Sequence, residues 1–317
     1  MSEPQALLVL PHLRIQNANA ISSPMTWGFP AMSAFVGAMQ ALERKLPDHL
    51  ELFFHSVGVI CHGFDAQVTE GGFTKSFLLT RNPVGKDGGT AAIVEEGRVH
   101  LDVTLILAVS GDACAGDEQR RDAVALEVSE IVSSMRMAGG SVMPVLPGQR
   151  GPGKRPQLVT LAENAEDRDE QFLRLRRGWL PGFALVCRDD LLAERLDALR
   201  EQDSQATELD ACLDAASLTM HYVPEAPATW QAQKSPGWVV PIPVGYGALS
   251  PRYTAGTVTN ARDATTDFRF VESLYSLGQW ISPHRLRGPR ELLWYPTSDP
   301  ENGLYRLRND YHPSLNG

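Results

Sequence analysis

Residues 98–109, RVHLDVTLILAV, constrain the fold of this chain more than any other stretch. Val99, Leu101, Val103, Leu105, Leu107 and Val109 alternate with Arg98, His100, Asp102 and Thr104. Successive strand side chains point to opposite faces, so the pattern predicts a strand whose sheet has one buried face and one open face. Arg98 stands at the start of the polar side.

The flanking segments place that strand in an order. ALLVLPHLRI, 6–15, predicts a strand in which Pro11 demands an edge position or a bulge. PAMSAFVGAMQALERKL, 30–46, predicts a helix with Phe35, Met39, Leu42 and Leu46 on one stripe and Pro30 in its first turn. A strand follows at 50–60. After the 98–109 strand, residues 117–138 place Val124, Val128, Ile131 and Met135 at helical spacing, ended by Gly139 and Gly140, and SVMPVL predicts a short strand. Strand, helix, strand, strand, helix, strand predicts an α+β, ferredoxin-like unit with both helices on one face of the sheet and the other face open to a ligand. The insertion at 66–97, with turn chemistry at Asn82-Pro83 and at 86–89, predicts a β-hairpin thumb.

Beyond residue 146 the pattern is less regular. LPGQRGPGKRPQ, 146–157, marks a boundary, dividing the chain into 1–146 and an irregular α/β half, 147–317. In that half, 189–202, 208–218 and 267–280 read as helices, and 237–251 as a strand interrupted by prolines.

Composition narrows the function. The chain has 317 residues, 43% of them hydrophobic, enough for a substantial core. It has no run of about 20 apolar residues that would span a membrane and no signal-peptide pattern at its start, so a cytoplasmic protein without membrane partners is expected. Cys61, Cys114, Cys187 and Cys212 are too dispersed for a metal motif. No phosphate-loop, nucleophile-elbow or zinc-protease motif occurs, and neither a cofactor nor a metal is expected. TEGGFTKS, 69–76, has the residue types of a phosphate loop at the wrong spacing and reads as a turn. His100 and His284 have the chemistry of a general acid and base, but neither has an identifiable partner, and structural or contact roles are favoured.

Binding chemistry is better represented. The net charge is −9, yet between Arg252 and Arg290 six arginines face three acidic residues, a local balance of +3. The strand-to-helix junction RIQNANAISSPMTWGFP, 14–30, is far more polar than a turn requires. Gln16, Asn17 and Asn19 carry amides that read unpaired base edges, Ser22 and Ser23 add hydroxyls, and Trp27 offers a stacking surface. In MRMAGGSV, Arg136 stands beside Gly139, Gly140 and Ser141, where a guanidinium and exposed N–H groups grip a phosphate. Taken singly, the first segment also reads as a capped turn and the second as a helix end. Together, beside an open sheet face, they favour single-stranded RNA. Arg252, Arg262, His284 and Arg285 form a further candidate group, with ion pairing to Asp263, Asp267 and Glu272 as the alternative.

RIQNANAISSPMTWGFP, LLTRNPVGKDGGTAAIVEEGRVHLDV, MRMAGGSVMP, LPGFALVCR, PGWVVPIPVGYGALSPRYTAGTVTNARD and ISPHR followed by ELLWY closely resemble the Cas-five-type second subunit of the type I-F CRISPR surveillance (Csy) complex. The resemblance runs from about residue 6 to about residue 308. It implies a non-catalytic subunit with an RNA-recognition-like core that holds the 5′ handle of the CRISPR RNA, pairs with the large subunit and adjoins the backbone subunits. Arg14 and the rest of the 14–30 segment, with Arg136 to Ser141, then become handle contacts, and Arg81, Asn82 and Lys86 fall in the thumb. A repeat-cleaving endoribonuclease and a protein-only scaffold are the alternatives, and the sequence leaves open whether target DNA lies nearby.

Overall fold

The computed structural model describes residues 4–72, 74–81, 84–144, 154–217, 219–224, 229–233 and 237–313. It is a mixed α/β structure dominated by antiparallel strands, and it divides into two compact units. The first comprises 1–186, 281–295 and 309–317; the second comprises 187–280 and 296–308. The boundary expected at 146 falls among residues 145–153, outside the described residues, and the first unit continues well beyond it.

The first unit is organised around the alternating strand, Arg98–Ser110. On one side it pairs with Ala6–Asn19, on the other with Phe53–Ala66, both antiparallel. Gly140–Val142 pairs with the outer edge of Ala6–Asn19, so in chain order the four strands lie fourth, first, third, second. Gln157–Thr160 continues that edge along residues 6–9, and Phe183–Cys187 begins on Phe53–Ala66 at Cys61 and Ile60. Pro11 sits in a bulge between Leu10 and Leu13, as its missing N–H requires.

Two helices pack on the sheet. Met32–Glu43 lies on Phe53–Ala66 and buries Phe35, Val36, Met39 and Leu42. Glu118–Ser133 lies on Ala6–Asn19, starts where the Asp117 carboxylate accepts from Arg120 N–H at 2.9 Å, and buries Val124, Val128 and Val132. Each such apolar side chain contributes about 1.5–3 kcal/mol on burial. This helix stops at Ser133 rather than at 138. Arg136–Met137 and Gly140–Val142 instead form a tight hairpin whose two loop residues, Ala138 and Gly139, have φ of 49° and 78°. A two-residue loop with both φ positive suits the twist of paired strands, and a helix cannot contain it.

The expectation of one open sheet face is only half met. Arg98, His100 and Asp102 remain accessible, but Thr104, Ile106 and Ala108, on the same side, are buried. Ile106 and Ala108 belong to a core cluster with Leu7, Val9, Ile60, Phe172, Trp179, Leu286, Leu292 and Leu293. The acidic 163–170 segment supplies this cover: Ala165–Leu175 is a helix capped by the Asn164 side chain, and it brings Phe172 to the sheet. Leu292 packs so closely that a Cβ on Gly58 would lie 2.5 Å from its Cγ.

The 66–97 insertion forms two hairpins, Val68–Gly71 with Thr74–Phe77 and Leu79–Arg81 with Ile93–Glu95.

In the second unit, Asp189–Arg200 and Glu208–Ala216 are helices as expected. Residues 267–280 are not. Val271–Ile281 is a strand, paired antiparallel along its length with Trp238–Ala248. Its Val, Tyr, Trp and Ile residues suit a pleated surface, Gly278 weakens a helix interior, and the long partner strand satisfies the backbone.

Candidate nucleic-acid interface

The polar junction lies at the end of the sheet that the cover leaves open. In Ala6–Asn19 the register with the central strand shifts between Ile15 and Ala18, so Gln16 and Asn17 bulge outward. Asn17 has φ 56°, a left-handed conformation that asparagine tolerates, and its N–H donates to His100 Nδ1 at 3.0 Å. Its side chain makes no hydrogen bond among the described residues and is exposed, as are those of Arg14 and Gln16. Asn19 is committed locally: its Nδ2 donates to the Ile21 carbonyl at 2.7 Å and its Oδ1 accepts from Ile21 N–H at 3.1 Å.

Residues 20–28 fold back as a short hairpin in which Ile21 faces Trp27 and Ser23 faces Thr26. Ser23 is buried and bonds Thr26 Oγ1 at 2.7 Å, and Ser22 donates to the Phe29 carbonyl at 3.3 Å. These two serines hold the turn. Trp27 is 56% exposed and meets Phe77 of the insertion edge to face, with centroids 5.9 Å apart.

The Arg136 hairpin closes against the same bulge. Asn19 N–H donates to the Ala138 carbonyl at 2.8 Å, and Gln16 lies opposite Ser141. Ser141 and Arg136 are exposed, and an Arg136 Nη2 hydrogen folds onto the Gly139 carbonyl. Gly140 is buried. Arg98 is held by Glu96, Nη2 to Oε2 at 2.6 Å, and also reaches the Asn17 carbonyl at 3.5 Å.

Arg14, Gln16, Asn17, Asn19, Trp27, Arg98, Arg136 and Ser141 are therefore gathered at one sheet end. The other candidates are distributed differently. Arg81 and Lys86 are exposed in the insertion, and Asn82 lies outside the described residues. His284 and Arg285 are exposed on a short 3-10 turn of the first unit, where His284 Nδ1 and Ser282 Oγ are 2.7 Å apart. Arg252 and Arg262 belong to the second unit, and Arg252 pairs with Asp267 at 2.6 Å.

A family model described as CRISPR-associated protein (Cas_Csy2) matches residues 8–307. The chain belongs to the Csy2 family. It is 48% identical over 320 residues to the CRISPR-associated protein Csy2 of Pseudomonas aeruginosa (strain UCBPP-PA14), a comparison that spans 96% of each chain. The Csy2 match takes in the polar junction, the Arg136 hairpin and both units.

Two histidines escape sequence analysis because nothing local distinguishes them. His12 Nδ1 lies 3.0 and 3.1 Å from the two Asp102 carboxylate oxygens. Its ring stacks on His62 with centroids 4.2 Å apart and planes at 25°. His62 Nδ1 is 2.7 Å from the Pro181 carbonyl, which only accepts, so this nitrogen carries its hydrogen; Nε2, 2.7 Å from Thr104 Oγ1, accepts from that hydroxyl. Burial lowers the His62 pKa, the Pro181 carbonyl opposes this, and the nearby His12 adds to the lowering.

Proposed function

We propose that this chain is a non-catalytic RNA-binding subunit of a CRISPR surveillance complex, holding the 5′ handle of the CRISPR RNA, pairing with the large subunit and adjoining the backbone subunits. The observation that carries the reading is the bulge at Gln16 and Asn17, which turns two amides outward beside Arg14, Trp27, Arg136 and Ser141. Amides that both donate and accept, an exposed indole and guanidinium groups are the chemistry of single-stranded RNA recognition. The strand order fourth, first, third, second supports a ferredoxin-like core, with the paired hairpins of 66–97 as its thumb. His100 and His284, the residues with acid–base chemistry, are engaged with Asn17 N–H and with Ser282, which favours a binding role over cleavage.

The test is purification of the tagged chain with the products of its operon, followed by RNA extraction. Co-elution of a CRISPR RNA whose 5′ end is protected from nuclease is expected, and it should be lost when Asn17 is replaced together with Trp27. Assembly without RNA would favour a protein scaffold, and repeat cleavage by the isolated chain would favour an endoribonuclease.

A further inference from the structure

His12 and His62 stand where the covered part of the sheet face meets the open part, and the backbone is distorted to put them there. The first strand bulges at His12, between Leu10 and Leu13, and the other flanking strand bulges at His62, between Cys61 and Gly63. Bulges re-aim side chains beside functional sites. His12 also has φ 51°, a left-handed conformation uncommon in a histidine, held by donation from its N–H to Thr104 Oγ1 at 3.2 Å. Facing bulges and a strained backbone are more than an apolar core needs at this point.

We propose that His12 is a phosphate-binding residue for the RNA strand and that Asp102 is its positioning residue. The inference rests on the reading of the chain as an RNA-binding subunit. Asp102 accepts a hydrogen bond from His12 Nδ1–H, which leaves Nε2 as the ring atom with no partner among the described residues, on a side chain 28% exposed. His62 covers one face of the ring, so a ligand meets the edge that carries Nε2. Protonated, Nε2 donates a charge-assisted hydrogen bond to a phosphate oxygen; neutral, it accepts, as from a ribose hydroxyl.

The surrounding charge favours the anion. Arg14 is the direct cross-strand neighbour of Asp102, and Lys154 is near enough to act on His62. The charged and titratable groups around His12 are thus Asp102 and His62, which touch it, Arg14, which pairs across from Asp102, Lys154, which acts on His62, and Cys61, which feels the Asp102 charge. Burial pushes the Cys61 thiol up to about 11, so it stays neutral throughout the histidine range. Asp102 is thus one carboxylate beside two permanent cations, Arg14 and Lys154, while His62 is neutral.

Fluorescence anisotropy of the full chain with a labelled oligouridylate, measured across salt concentrations at about pH 8 and about pH 6, brackets the titration of an imidazole. The parent should bind several-fold more tightly at the lower pH. His12→Asn, which tolerates the left-handed backbone, should lose that gain and flatten the slope of log affinity against log salt by about 0.7, the value of one phosphate contact on a single strand. Asp102→Asn keeps an acceptor for the Nδ1 hydrogen but removes the negative charge beside the ring, and should shift the pH response without abolishing binding. If the parent binds and His12→Asn keeps both the pH response and the slope, the inference falls and the RNA-binding reading stands. Binding that weakens on acidification only when His12 is present would identify a ribose hydroxyl and overturn the phosphate assignment. A parent that binds no RNA at either pH overturns both readings.

Discussion

Gly140 lies against the backbone of Gln16: a Cβ at this position would stand 2.5 Å from the Gln16 carbonyl oxygen and 2.7 Å from the Ala18 nitrogen. The Arg136 hairpin and the Gln16–Asn17 bulge are therefore seated on each other through a residue without a side chain. Gly140→Ala should cost about 1–3 kcal/mol, as overpacking does, and should weaken RNA binding because the bulge must move. Urea denaturation and oligonucleotide anisotropy measure the two effects; unchanged stability would show that the hairpin is seated elsewhere.

Trp27 is exposed, and among the described residues its one aromatic contact is an edge-to-face one with Phe77. Stacking of a base on an aromatic side chain is worth about 1–3 kcal/mol. Trp27→Ala should therefore reduce RNA affinity by about tenfold or more while the melting temperature barely moves, and Trp27→Phe should retain most of the affinity. A large fall in melting temperature with affinity intact would make Trp27 a structural residue.

His62 links stability to pH. Its pKa is lowered in the folded chain, mainly by burial, so below the ordinary histidine value of about 6.5 the unfolded chain binds a proton that the folded chain resists. Its contribution is intact above that value and is lost as pH falls through the lowered one. The parent should melt at progressively lower temperature on acidification through this window. His62→Gln, which can still donate to the Pro181 carbonyl and accept from Thr104, should show a shallower decline. Parallel curves for the two proteins would remove His62 from the linkage.

Arg252 and Arg262 can be separated from the fold by salt. The Arg252–Asp267 pair is at the surface, with the arginine 66% exposed, and exposed pairs contribute about 0–1 kcal/mol. Arg252→Gln and Arg262→Gln should each flatten the salt dependence of RNA binding by about 0.7 and leave the melting temperature nearly unchanged. A lower melting temperature with an unaltered slope would assign the arginines to the structure of the second unit.

Much of the candidate interface is legible before folding because its signals are local. The polarity of 14–30 stands out against its apolar flanks, and Gly139-Gly140-Ser141 reads as a chain reversal beside Arg136. Which of those residues are available is not local. Asn19, Ser22, Ser23 and Gly140 belong to the same motifs as Asn17 and Ser141, yet a bond within the turn or a close backbone contact occupies each of them.

The sequence by itself determined the existence and order of the elements whose periodicity is strong, the central strand and the helices that the structure bounds at Met32–Glu43, Glu118–Ser133, Asp189–Arg200 and Glu208–Ala216. It also required an edge position or a bulge at Pro11, because a residue without an N–H cannot complete the ladder, and the structure made it a bulge. Only the tertiary structure decided that 271–281 is a strand, since a partner strand outside the segment, Trp238–Ala248, satisfies its backbone. It alone decided that Phe172 and Leu292 would close half of the polar sheet face. It also brought His12 to His62, fifty positions further along the chain. Side-chain period reports which face a residue takes within its own element; what covers that face depends on contacts between segments distant in sequence, and no local pattern records them.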